Sequence, residues 1–138
     1  MSFVKTIKAL FPGYGQATSY GSTTNVATNA SSNTAITLST ASTASATVVP
    51  LVKALHQGKI RVRTNVIGVN ATSGIVSITA TDGTTTLSIY GGDKANTSAG
   101  IGLDETIDFC TNLQLNSFTV TVNVVTNNCT HDVEIAGN

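Results

Sequence analysis

Residues Lys59–Gly92 read KIRVRTNVIGVNATSGIVSITATDGTTTLSIYGG, two alternating runs around Asp82-Gly83 with a third run before them. Asp-Gly between alternating runs predicts a two-residue hairpin turn. That turn sets a register in which Thr81 faces Thr84, Ala80 faces Thr85, Ile78 faces Leu87 and Val76 faces Ile89. Side chains alternate along a strand, so one face carries Val76, Ile78, Ala80, Leu87 and Ile89, and the other Ser77, Thr79, Thr86 and Ser88. The preceding run puts Ile60, Val62, Thr64 and Val66 opposite Arg61, Arg63 and Asn65, with residues 70–74 as the connecting loop. The expectation is a three-stranded meander in one sheet. Ile67, Val69, Ile75 and Tyr90 fall on its polar face at one end, which marks them as a contact surface.

Outward from this centre, the chain reads as short strands. Thr34–Thr40 presents Ile36 and Leu38, and Ala46–Val52 ends near Pro50. Residues 53–58 read as a turn of helix. Ile101–Phe109 alternates, but Glu105 sits in its apolar phase and predicts a bulge. Ser117–Val125 alternates most cleanly, with Phe118, Val120, Val122 and Val124 inward, and His131–Ala136 closes the set with Val133 and Ile135. About eight strands separated by turn clusters predict an all-β, antiparallel β-sandwich, jelly-roll-like. Residues 1–33 differ. They are rich in Ser, Thr, Asn, Ala and Gly, and carry too little apolar surface to fold alone. They are expected to form an N-terminal arm before a sandwich domain at 34–138. The arm's large side chains, Phe3, Ile7, Leu10, Phe11, Tyr14 and Tyr20, join the meander patch as expected interface residues.

Composition narrows the function classes. Charged residues make up 10% of the 138 positions, and seven Lys and Arg balance seven Asp and Glu. Such a surface lacks the clustered cations that nucleic-acid binding requires. A hydroxyl-rich, nearly uncharged surface also favours self-association, which an oligomer or larger assembly would absorb. No run approaches the length of a membrane helix, and the lysines at 5 and 8 interrupt a secretory pattern. Cys110 and Cys129 allow one disulfide but have neither metal-ligand nor redox spacing, and the simpler reading is isolated thiols in a β core.

Catalytic and ligand constellations are weak. His56 and His131 lack neighbours at metal-ligand spacing, and Asp104 and Asp108 share an outward strand phase that reads as a solvated face. Arg61 and Arg63 project together and read as a rim or intersubunit pair. No phosphate-binding loop or nucleophile elbow occurs. Neither an enzyme nor a cofactor is expected. Trp is absent and aromatic rings are few, which weakens a sugar platform.

The run from Val49 to Val62, with Gly58-Lys59-Ile60-Arg61-Val62, then Ile75 to Thr86 and the Gly91-to-Gly102 segment, resembles a family of small tailed-bacteriophage virion proteins. The likeness covers roughly residues 48–136 and excludes the Ser/Thr/Asn-rich start. It rests on strand and turn chemistry rather than on catalytic residues. What it implies is a virion structural protein of the capsid decoration (cement) type. The expected partners are the major capsid protein and copies of itself, as a homotrimer, with no nucleic acid and no membrane. The expected location is the capsid surface, after assembly in the host cytoplasm. The competing expectation is a carbohydrate- or host-surface-binding β-sandwich module on a head fibre, a tail or a secreted protein.

Overall fold

β-branched and hydroxyl side chains alternating with period two favour extended backbone, and two such sheets bury their apolar faces against each other. In the computed structural model, which describes residues 19–29, 32–91, 97–98 and 100–138, all regular structure is strand. The strands are β1 Ser19–Thr28, β2 Ser32–Ser39, β3 Val48–Val49, β4 Leu55–Val66, β5 Thr72–Thr81, β6 Thr86–Gly91, β7 Asp104–Leu115, β8 Ser117–Val125 and β9 Cys129–Gly137. They form a five-stranded sheet, β3-β1-β9-β4-β7, and a four-stranded sheet, β2-β8-β5-β6, with every pairing antiparallel. This is the jelly-roll order with one short strand, β3, added at an edge. The chain changes sheet at nearly every connection. β3 and β4 stay in the five-stranded sheet without pairing, and β5–β6 is the one hairpin in which consecutive strands pair, so the Asp82-Gly83 turn and a jelly roll are compatible.

The core follows the alternation. Ile36, Leu38, Ile60, Val62, Ile78, Ala80, Phe118, Val120, Val122, Val133 and Ile135 are buried between the sheets, and the Phe109 and Phe118 rings pack 5.2 Å apart at 56°.

Several local expectations are corrected. The meander is split: β4 pairs with β7 and β9 in one sheet, while β5 and β6 lie in the other. The hairpin register is displaced by two residues, Thr81↔Thr86 and Ala80↔Leu87, because the turn is wider than two residues. The Asp82 carboxylate causes this by accepting from the Thr84 and Thr85 N–H groups at 2.9 and 2.7 Å. Those backbone bonds, Thr85 first, hold its carboxyl below the usual range. A two-residue shift leaves each side chain on its expected face. Bulges do not. Val76 is the extra residue between Ile75 and Ser77, which turns Ile75 into the core. Glu105 lies in an unbroken ladder opposite Val62, and the irregularity in that pairing falls near Leu55 instead. Residues 53–58 contain no helical turn, and β4 already starts at Leu55.

The sandwich also begins earlier than expected. Ser19–Thr28, part of the expected arm, is a strand between β3 and β9. Apart from Val26, which packs against the core, its inward positions are small or hydroxylic, and the space is filled from elsewhere: a Cβ on Gly21 would meet Leu51 at 3.0 Å. The Ser19 hydroxyl donates to the Lys53 carbonyl at 3.1 Å.

Candidate functional site

One end of the sandwich carries the loops 67–71, 100–103 and 126–128, which join β4 to β5, lead into β7 and join β8 to β9. The loops are tied together. Gly100 N–H donates to the Ala71 carbonyl at 2.9 Å, Thr64 N–H donates to the Leu103 carbonyl at 2.9 Å, and the Asn127 side-chain amide donates to the Val69 carbonyl. Besides Gly100 (φ 77°), two non-glycine residues here have left-handed backbone, Asn70 (φ 62°) and Thr126 (φ 81°). Asn tolerates that region, whereas β-branched Thr is strained in it. Val69 is 79% exposed and Ile101 60%, and Val66 and Val125 are exposed at the same end. Beneath them Ile67 packs against Ala71, Val124 and Cys129.

Below this rim lies a buried polar cluster on His131, which shares the inward phase of Val133 and Ile135. Its Nδ1 is 2.9 Å from Thr28 Oγ1 on β1. Its Nε2 is 2.6 Å from Ser73 Oγ on β5 and 3.1 Å from Thr64 Oγ1 on β4. The network assigns the tautomer. Thr28 spends its one proton on the Cys129 carbonyl at 3.0 Å, so Nδ1–H donates to Thr28 and Nε2 accepts from Ser73. Burial pushes the imidazole down to about 4, against a smaller opposing effect of Asp132. Ser73 and His131 thus have nucleophile–base spacing. Both are fully buried, however, and the group on Nδ1 is a hydroxyl rather than a carboxylate. The cluster ties β1, β4 and β9 of one sheet to β5 of the other. Sequence reasoning assigned it no role; the available signal was a histidine in the apolar phase of a strand.

The outer face of the five-stranded sheet holds a ladder of ion pairs across β7, β4 and β9. Lys59 Nζ lies 2.6 Å from Asp108, the Arg61 guanidinium donates two 3.0 Å bonds to Asp104, and Arg63 lies 2.7 Å from Asp132. The Arg61 bond is the main reason that the Asp104 carboxyl is held below its usual range. Asp132 also accepts from Asn25 N–H at 2.9 Å at the β1 bulge. Arg61 and Arg63 therefore have partners within their own sheet rather than standing free as a rim pair. The exposed Lys59–Asp108 and Arg61–Asp104 pairs contribute little, whereas Asp132 is buried. Asp108→Asn is expected to change stability by less than about 1 kcal/mol in thermal melts.

The expected interface residues are scattered. Val69 is at the exposed loop end and Ile67 half-buried beneath it, but Ile75 is core, and Tyr90 packs partly against the core from β6. The four do not form one patch. Tyr20 is buried on β1, and Phe3, Ile7, Leu10, Phe11 and Tyr14 lie outside the described residues. Neither a protein-family model, nor a curated protein, nor a solved structure matches this chain. Among the described residues, no three His, Cys, Asp or Glu side chains converge as a metal-binding group.

Proposed function

We propose that the chain is a virion structural protein of the decoration or cement type. In this reading a jelly-roll module sits on a phage capsid, as a homotrimer, and contacts the major capsid protein and its own copies. The observation that carries this reading is the loop end. Val66, Val69, Ile101 and Val125, four of the six exposed large apolar side chains among the described residues, are grouped at one end of the sandwich, with Val49 and Val52 lying elsewhere, and the outer face of the five-stranded sheet carries internal ion pairs. Apolar side chains grouped at the tip of a rigid scaffold fit a surface that is covered in an assembly. The likeness of residues 48–136 to phage virion proteins supplies the setting. Many weak contacts repeated on a symmetric shell add up to firm attachment.

The test is a Val69→Asp, Ile101→Asp double variant, both positions being exposed in the subunit. Its melting temperature is expected to match the parent, while its occupancy on purified capsids falls by about tenfold or more, the effect of burying unpaired charge. Parental occupancy would remove the loop end from the contact.

A further inference from the structure

Four strands end the two sheets: β3 and β7 in the five-stranded sheet, β2 and β6 in the other. An edge strand leaves a row of N–H and C=O groups open, and proteins blunt such rows with charge, proline, bulges or shortness. Three of these four edges are blunted. β3 has two residues and is followed by Pro50. β7 carries Asp104, Glu105 and Asp108, and its register shifts opposite Leu55 and Gln57. β6 is irregular against β5 between Ile78 and Thr79. β2 has none of these devices. Its sequence, SNTAITLS, contains neither charge nor proline, and it runs beside β8 in unbroken register from Ser32↔Val124 to Ser39↔Ser117.

The open backbone groups of β2 can be assigned. Thr40 N–H donates to the Asn116 carbonyl at 3.0 Å, one step past the Ser39↔Ser117 pair. Backbone direction alternates along an antiparallel ladder, so the even-numbered residues of β2 bond to β8 and the odd-numbered ones point to the open edge. Ser39 follows this rule. Its carbonyl accepts from Leu51 N–H at 3.1 Å, and its N–H donates to Ser42 Oγ at 2.9 Å, both away from β8. Asn33, Ala35 and Thr37 then hold the open groups. Their side chains are exposed, whereas those of Ile36 and Leu38 are buried. A two-fold axis at Ala35 sets Ala35 against Ala35 of a second copy and Asn33 against Thr37, so each open donor meets an open acceptor. An axis at Ile36 or Thr37 sets Asn33 or Ala35, respectively, against Ser39, whose backbone groups are already bonded. Two-fold pairing also brings like residues together, which the acids of β7 resist and the neutral β2 does not.

We propose that β2 is a self-pairing edge: two copies of this chain join antiparallel along residues 33–37, about a two-fold axis at Ala35, and their four-stranded sheets become one continuous sheet. The pairing does not depend on the capsid reading and holds even if the protein never joins a virion.

The test compares the full chain with Ala35→Lys, which sets two ammonium groups against each other at the axis. In sedimentation, the parent is expected to have about twice the mass of the variant or more. In hydrogen exchange, the parent's Asn33, Ala35 and Thr37 amides are expected to exchange about tenfold or more slowly than those of the variant. Thr37→Pro is the second variant. It removes an open N–H and leaves the β8 ladder intact, and it is expected to halve the mass in the same way and to speed exchange at Asn33 and Ala35. Equal masses in parent and variants would overturn the proposal; protected amides in that case would place a segment of the same chain on the edge. A doubled mass with rapidly exchanging edge amides would place the contact elsewhere and overturn it too.

Discussion

Replacing Gly58 with alanine is expected to destabilise the fold by about 3 kcal/mol or more, the upper range for overpacking. For a chain of this size that lowers the melting midpoint by roughly 10 °C. Gly58 on β4 pairs with Gly137 on β9 and Phe109 on β7. A Cβ on Gly58 would overlap the Ala136 carbonyl oxygen and meet the Phe109 ring at 3.0 Å. Gly137 is closed in the same way by the Gln57 carbonyl and by Gly58 Cα at 2.8 Å. The obstacles are mainly backbone, so relief requires the two central strands to separate. Gly83→Ala is the control. Its φ of +99° is unfavourable for alanine, but nothing lies within 4 Å, and a loss of only about 1 kcal/mol is expected. Thermal melts that rank Gly83→Ala as the worse variant would contradict the close β4–β9 approach.

The second large effect is on acid stability. His131 is held neutral, with its folded-state value lowered from 6.5 to about 4. As pH falls through 6.5 the unfolded chain takes up a proton that the folded chain refuses until about 4. The unfolded state therefore binds more protons across this window, and stability declines as pH falls, by about 3 kcal/mol in all. Below the window this contribution is constant. Glu134 acts in the opposite sense: burial raises its carboxyl, so stability decreases as pH rises from 4.5 through the raised value. Comparison with His131→Gln separates the two, because Glu134 is common to both proteins. Urea titrations at pH 7 and pH 4.5 are expected to show a steeper acid loss in the parent than in His131→Gln. Parallel losses would mean that the imidazole is solvated.

Period-two alternation is local, and where it was strong the sequence was informative. Phe118 to Val124 on β8, Ile60 and Val62 on β4, and Ile36 and Leu38 on β2 all face the core as their spacing predicts. Sheet membership was not legible, because it depends on distant pairing. β4 lies next to β5 in sequence but binds β7 and β9, with Arg61 opposite Thr106 and Glu134. Bulges were invisible for a related reason. Val76 is an extra residue only relative to its partner β8, and it alone moves Ile75 from the expected polar face into the core. β1 escaped notice because, apart from Val26, its inward positions are Ser19, Gly21, Thr23 and Thr28, which contribute hydroxyls and space rather than apolar surface. Of the exposed apolar loop end, Val69 stood out in the alternation, whereas Val66, Ile101 and Val125 join it only once the loops are brought to one end.

The reading of this jelly roll as a capsid component is tested most directly by counting it in the virion. Quantitative mass spectrometry of purified particles, with the major capsid protein as the internal standard, gives the copy number. A fixed ratio matching the symmetry-related sites of the shell, at three copies per site, is the predicted result. Absence from particles, or a ratio that drifts between preparations, would contradict it.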